Sequence, residues 1–424
     1  MRSLSRLVRA ASSALAGILL AAPLAAAGVI VVDAAGGGDF TTVGAAIGAA
    51  MDGDILVIRP GDYTAEPALD TAGKALVIVG DTDGTTLLPV LTVDQVAAGK
   101  TAVLRHLSFE PSGVGGFPQG TVRVTNNLGR VHIEDCQIRG RDGESSFLGL
   151  FANPGETGLL VLSSAAVAVH RCTITGGQGI PTSPGPFGVG QQVPSNGGLA
   201  IEVESCALSL HQVTATGGDG GSGAPTDFSG ADGAHALRAL FSPVIVSGCT
   251  LQGGDGGAGD PSGASGSGVV SNGTGAALSE VDSSLLGGAG APGLMVLSGT
   301  HDVWTGEAWS LAISSPVRSG SVGTLTASGP PNEAFALFIS FGMGYLPKPG
   351  FRGAFLPGSP FFGPLVVATT NGSGSFSANF LAPSLAPFGL EGLLNIDQAL
   401  MVQDDGLVLS SGTAYIQVQP PNSR

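Results

Sequence analysis

Six stretches of the chain alternate apolar and polar positions with one doubled polar step in the middle, apolar-x-apolar-x-x-apolar-x-apolar. They are AVLRHLSF, VHIEDCQI, VAVHRCTI, LSLHQVTA, VIVSGCTL and a degenerate LSEVDSSL, with Leu107, Cys136, Cys172, Val213, Cys249 and Ser283 at the third apolar position. Alternation of period two predicts a strand with one buried face, and the doubled step flips the parity, so each copy is two short strands bent at a corner. Successive copies lie 29, 36, 41, 36 and 34 residues apart, and a Gly-rich tract soon follows five of the six. That period suits one three-sided turn of a solenoid whose coils bury their faces only by stacking.

Upstream, Val29 to Asp33 predicts a strand, and TTVGAAIGAAMDG predicts a short amphipathic helix with Val43, Ala46, Ile47 and Ala50 on one face, capped by Thr41 or Thr42. ILVIRPGDY and ALVIVGD follow as the first coils, so the helix is placed to cover the open end of the stack. From about Val303 the coil pattern stops at VWTGEAW, which holds Trp304 and Trp309 and marks a junction or lid. Beyond it SVGTLTASG, AFALFISFG, GPLVVATTN, GSFSANFLA, LLNIDQALMVQ and LVLSSGTAYIQVQ predict the antiparallel strands of a β-sandwich. The expected division is an export signal over 1–27, a β-helix with its capping helix over 28–314 and a sandwich over 315–424.

Composition agrees with many short strands joined by glycine turns, since 70 of 424 residues are Gly and 43% are hydrophobic while only 12% are charged. Arg2, Arg6 and Arg9, the apolar run Leu15 to Leu24, and Ala25-Ala26-Ala27 have the layout of a cleavable export signal. The mature chain is therefore expected to be secreted or held at the cell surface, with no membrane span. Removing those three arginines takes the formal charge from −15 to −18, which disfavours nucleic acid and anionic lipid as partners. Cys136, Cys172 and Cys249 share one inward position, where parallel side chains suit core filling better than a disulfide.

The run GGGDFTTVGAAIGAAMDGDILVIRPGDYTAE, Gly36 to Glu66, resembles the N-terminal cap and first coil of the pectin-lyase-like right-handed parallel β-helix superfamily. The resemblance implies that fold, all-β, with the coil pattern extending it to about Thr300. Pectinesterases, pectate lyases and many exported proteins of unknown activity share it, and the QDT and DFIFG segments of pectinesterases, the NTDG of polygalacturonases and the R-x-P-x-x-R of pectate lyases are absent from this chain. The ending G-L-x(4)-Q-A-x(9)-L-S-S, Gly392 to Ser411, is similar to the small C-terminal sandwich of exported proteins from planctomycete-type bacteria.

Superposing the copies sets outward side chains in columns about 5 Å apart. One column holds His106, Asp135, Arg171, Gln212 and Gly248, and beside it run Arg105, Glu134, His170, His211 and Ser247. An Asp beside an Arg suits acid/base chemistry on an acidic sugar, with Arg171 holding a carboxylate and Asp135, His170 or His211 moving protons. The competing reading is an exposed ion-pair ladder of little energetic weight. A second column, Asp142, Gln178, Asp219 and Asp255, lies in GRDGES, GGDGGSG and GGDGGAG. Its carboxylates are either solvated turn residues or, at Asp219 and Asp255, ligands for Ca²⁺; no other cofactor is expected. The row Gln137, Thr173, Thr214 and Thr250 is a polar ladder on the outer face. The resulting expectation is a monomeric, non-catalytic exported β-helix that binds or organises polysaccharide or matrix. The alternative is a polysaccharide lyase or pectinesterase-like carbohydrate esterase on an acidic polysaccharide, working at Asp135 and Arg171.

Overall fold

A computed structural model describes residues 27–111, 120–145, 152–183, 193–223, 229–347, 351–403 and 406–419, with the side chains of 402–406 left aside. The signal-like segment 1–26 and the loop aromatics Phe147, Phe151 and Phe187 lie outside the described residues. Three parallel sheets of ten, eight and eight strands enclose the core of a right-handed β-helix. Each coil visits the first sheet, then the third, then the second, and eight coils complete the circuit. In the coil that carries VHIEDCQI these visits are Arg130–Glu134, Gln137–Arg139 and Leu159–Leu162.

Two of the three corners turn at one left-handed residue. His106, Asp135, Arg171, Gln212 and Asp282 turn the chain from the first sheet to the third with φ of 48 to 54°. Asn126, Ser163, Ser205 and Phe241 do the same between the second sheet and the first. The doubled polar step is thus a strand-ending residue followed by one αL residue, a conformation most side chains avoid and short polar ones tolerate. Between these corners the inward positions stack. Leu107, Cys136, Cys172, Val213 and Cys249 are all at most 2% exposed, and backbone bonds from Thr173 N to Cys136 O and Thr214 N to Cys172 O hold them one strand apart. All four cysteines are buried free thiols, and burial raises Cys249 and Cys206 to about 12.

The third corner is a long glycine arm. Outgoing segments 176–182, 217–223 and 253–258 stack coil upon coil, and returning segments 195–200, 230–236 and 263–268 stack beside them. Every third amide bonds along the stack, as in Gly176 N to Thr216 O and Gly179 N to Asp219 O, each about 2.9 Å or less. The next position bonds across to the other row, as in Gly198 N to Gly177 O and Gly218 N to Gly198 O. A repeat of three is that of a polyproline II helix, and at Gly218 the crossing position admits only glycine, because a Cβ there would overlap the carbonyl of Gly177, whereas Ala231 and Ala234 make the same crossing bonds from the returning row.

The helix Val43–Ala49 closes the first coil with Val43, Ala46 and Ile47 buried. Thr42 occupies its N-cap but makes no capping bond; Glu66 reaches back instead, its carboxylate accepting from Val43 N and Gly44 N at 2.8 Å each. An anion across the first turn serves the same unpaired amides that a hydroxyl would.

The antiparallel part begins with Ser310–Ile313, which pairs with Val322–Ser328. It is a sandwich of a three-stranded sheet on a six-stranded one, and the six strands foreseen along 320–419 are all present. Trp309 is fully buried in its core. The six-stranded sheet has two covered faces. Along Gly392–Gln403, Asn395, Asp397, Ala399 and Met401 are buried toward the three-stranded sheet, while Ile396 and Gln398 face the β-helix.

Candidate functional site

The outward side of the first sheet is not open. Strand Gly406–Val418 lies across it, so Val103, Ala168 and Ile245 of the coils pack with Ala414, Ile416 and Leu356 of the sandwich. The outward column Arg105, Glu134, His170 and His211 is consequently 0 to 4% exposed. Taking these charges out of water carries a cost that only close partners offset.

Glu134 has them. One carboxylate oxygen accepts from Arg171 Nη2 and from the Thr413 hydroxyl at 2.5 Å, with Arg105 Nη2 at 3.4 Å. The other accepts from His132 Nε2 at 2.9 Å and Ala414 N at 2.6 Å. Burial alone would raise this carboxyl, but the guanidiniums of Arg105 and Arg171 and the His132 bond hold it well below the carboxylate range. Arg105 also donates to Ala414 O and, at 2.8 Å, to Ile313 O, both in the sandwich. His170 Nδ1 donates to Gly412 O at 2.6 Å and His211 Nε2 to Trp309 O at 2.5 Å. Burial pushes both imidazoles down, helped at His170 by the neighbouring His132 and His211, and His211 to about 4, so both are neutral at pH 7.

Asp135 and Arg171 sit one position further, at the αL corner. Asp135 Oδ1 accepts from Arg171 Nε at 2.8 Å, and its other oxygen lies 3.1 Å from Arg105 and 3.8 Å from His106. Arg171 Nη1 donates to Leu311 O at 2.7 Å. These two side chains keep 21% and 17% of their exposure, and with His106 and Thr173 they form one wall of a groove of about 720 Å³. Ser314 and Thr324 of the sandwich form the other wall. Of the four residues singled out for chemistry, Asp135 and Arg171 therefore meet at an open groove, while His170 and His211 are joined to main-chain carbonyls inside the interface.

His132 was not legible as a site residue, although it stands two positions from Glu134 on the same face. The burial of the column was signalled by its neighbours: ILVI, VIVG and AVAVH are apolar on both faces, the mark of a sheet covered on both sides.

Asp219 and Asp255 stand outward on the glycine arms. Each side chain in their column accepts an amide from the next coil: Asp142 from Gln178 N, Gln178 from Asp219 N, Asp219 from Asp255 N and Asp255 from Ala289 N, at 2.7 to 2.9 Å. One oxygen of each carboxylate is thereby engaged, and among the described residues no three His, Cys, Asp or Glu converge as metal ligands. The row Gln137, Thr173, Thr214 and Thr250 is exposed along the third sheet.

No family model and no curated protein matches the chain. Among solved structures, pectin methylesterase from carrot is similar at 14% identity and a TM-score of 0.30, covering 65% of this chain and 82% of that one. The ORF18 protein of Geobacillus virus E2 is similar at 10% identity and a TM-score of 0.22, covering 84% of this chain and 70% of that one. At scores this low neither likeness says what the chain acts on. No helix among the described residues is long and apolar enough to cross a membrane.

Proposed function

We propose that the chain is an exported, non-catalytic β-helix that binds or organises polysaccharide or extracellular matrix. The observation that supports this reading is the use made of Glu134, His170 and His211: each is saturated by, or bonded to, main chain of the sandwich, so the groups best suited to proton transfer join two parts of one molecule. Besides the groove at Asp135, the coils present an exposed row of hydroxyls and an amide at Gln137, Thr173, Thr214 and Thr250. They repeat at the strand spacing, about 4.8 Å, which is close to the length of a sugar unit. Affinity electrophoresis in neutral and acidic polysaccharides, with a Thr173→Lys/Thr214→Lys variant as control, tests the binding. Retardation lost in the variant supports the reading, and equal migration in every polysaccharide sinks it.

A second reading, an enzyme on an acidic polysaccharide, is favoured by one feature, the groove that leaves the Asp135–Arg171 pair accessible beside His106. Burial and the Arg105 cation depress His106, which suits a neutral imidazole as base. Uronide release and ester hydrolysis, assayed with and without Ca²⁺, separate the readings. Turnover that disappears in Asp135→Asn while the variant stays folded at the assay temperature would replace the binding proposal with this one.

A further inference from the structure

The sandwich is open along one side. Its two edge strands, Phe361–Thr369 and Ser375–Leu381, are not bonded to each other, and their inward residues Val366, Ala368, Phe376 and Phe380 are only half-buried. Between them lies a cleft of about 640 Å³ whose walls are apolar, and whose rim carries the exposed Val367 and Leu381. Its floor breaks the pattern. The strand that supplies the buried Ala399 and Met401 places Asn395 and Asp397 on the same inward face, 2% and 4% exposed. Asn395 Oδ1 has no hydrogen-bond partner although it is buried. A polar pair at core positions, one amide end unpaired, costs stability unless something completes it.

We propose that this cleft binds an uncharged small molecule with an apolar body and a hydroxyl or amine head that donates to Asn395. The volume is that of a small-molecule site, and apolar walls converging on a few buried polar groups are what such sites have. Asp397 agrees with an uncharged head, because burial and the nearby Glu134 carboxylate push its carboxyl well above the usual range and so favour its neutral form. This cleft lies within the sandwich, away from the coils, and Ile313 stands between it and the groove at Asp135, lining both.

The test titrates the full chain with 1-aminoanthracene, an apolar amine whose fluorescence rises out of water, and then displaces it. One saturable site is expected, with 1-naphthol displacing the dye about tenfold better than 1-methylnaphthalene, the worth of one hydrogen bond to a buried acceptor. Asn395→Leu should abolish that tenfold preference while dye still binds, and Ala378→Trp, at a half-buried wall position, should abolish uptake altogether. Circular dichroism melts confirm that both variants fold, and the wild-type preference for the naphthol stands without them. Absence of a saturable signal, an equal response to the two naphthalenes, or uptake that survives Ala378→Trp overturns the proposal. So does a dimer in sedimentation whose formation excludes the dye, which would assign the cleft to a second copy of the chain.

Discussion

Glu134 has its carboxylate enclosed by two guanidiniums, a hydroxyl, an imidazole and an amide, so its neighbours depend on its charge as much as it depends on theirs. Glu134→Gln leaves Arg105 and Arg171 buried beside a neutral amide, and a loss of about 3–5 kcal/mol is expected in urea unfolding. Asp135→Asn, at a corner that water still reaches, should cost less than half of that. The same network sets a pH response. His211 is neutral when folded and takes a proton near 6.5 when unfolded, so stability is full above about pH 6.5 and falls as pH drops toward 4, by up to about 3 kcal/mol. His170 acts in the same direction. Glu134, depressed in the fold, contributes stability above its unfolded value of 4.5 that is lost below it. Urea midpoints should therefore fall steadily from pH 7 to pH 4, and His211→Gln should flatten the upper part of that fall. A midpoint independent of pH over this range contradicts the burial described for these groups.

Elements of the fold were legible where one period governs a segment. The coil corners came from the parity flip at Glu134-Asp135 and its equivalents, and the stacked column at Cys136 and Cys172 came from superposing the copies. The arms were not legible in the same way, because period-three glycine was read as turn punctuation; GGDGGSG carries the repeat, but no apolar residue marks its inward faces. Their packing can be checked by a pair of substitutions. Gly218→Ala puts a methyl into the Gly177 carbonyl and should cost about 2–3 kcal/mol, with faster amide exchange at Gly198 and Ala234. Gly48→Ala, in the capping helix with open space around it, should be neutral or stabilising by up to about 1 kcal/mol. Equal effects at the two sites would mean that the arms are not packed through glycine.

At the level of the whole molecule, the change of period along the chain gives the order of the two parts but not that one lies on the other. A docking face is written across residues far apart in the chain, Arg105 with Ala414 at 309 positions and His211 with Trp309 at 98, and no local period reports such a pairing. The apolar outward positions Val103, Ala168 and Ile245 are the part that could have been read. A chain ending at Thr305 would expose them beside Glu134 and the histidines. It should melt well below the full protein and bind an apolar dye along the coils; a truncated chain as stable as the whole would show that the sandwich adds nothing to the β-helix.

The single-residue corners also decide where the coils can change. A turn made of one αL residue and one inward residue has no slack, so an insertion at Asp135 or Arg171 would push every later side chain of that coil onto the wrong face. The arms, by contrast, can lengthen three residues at a time without disturbing the cross-section. Most of the unequal spacing, 29 to 41 residues, is then a difference in fringe, not in trunk. Added length has one main side of the molecule on which to accumulate, and the edge at Asp135 and Arg171 keeps a fixed outline.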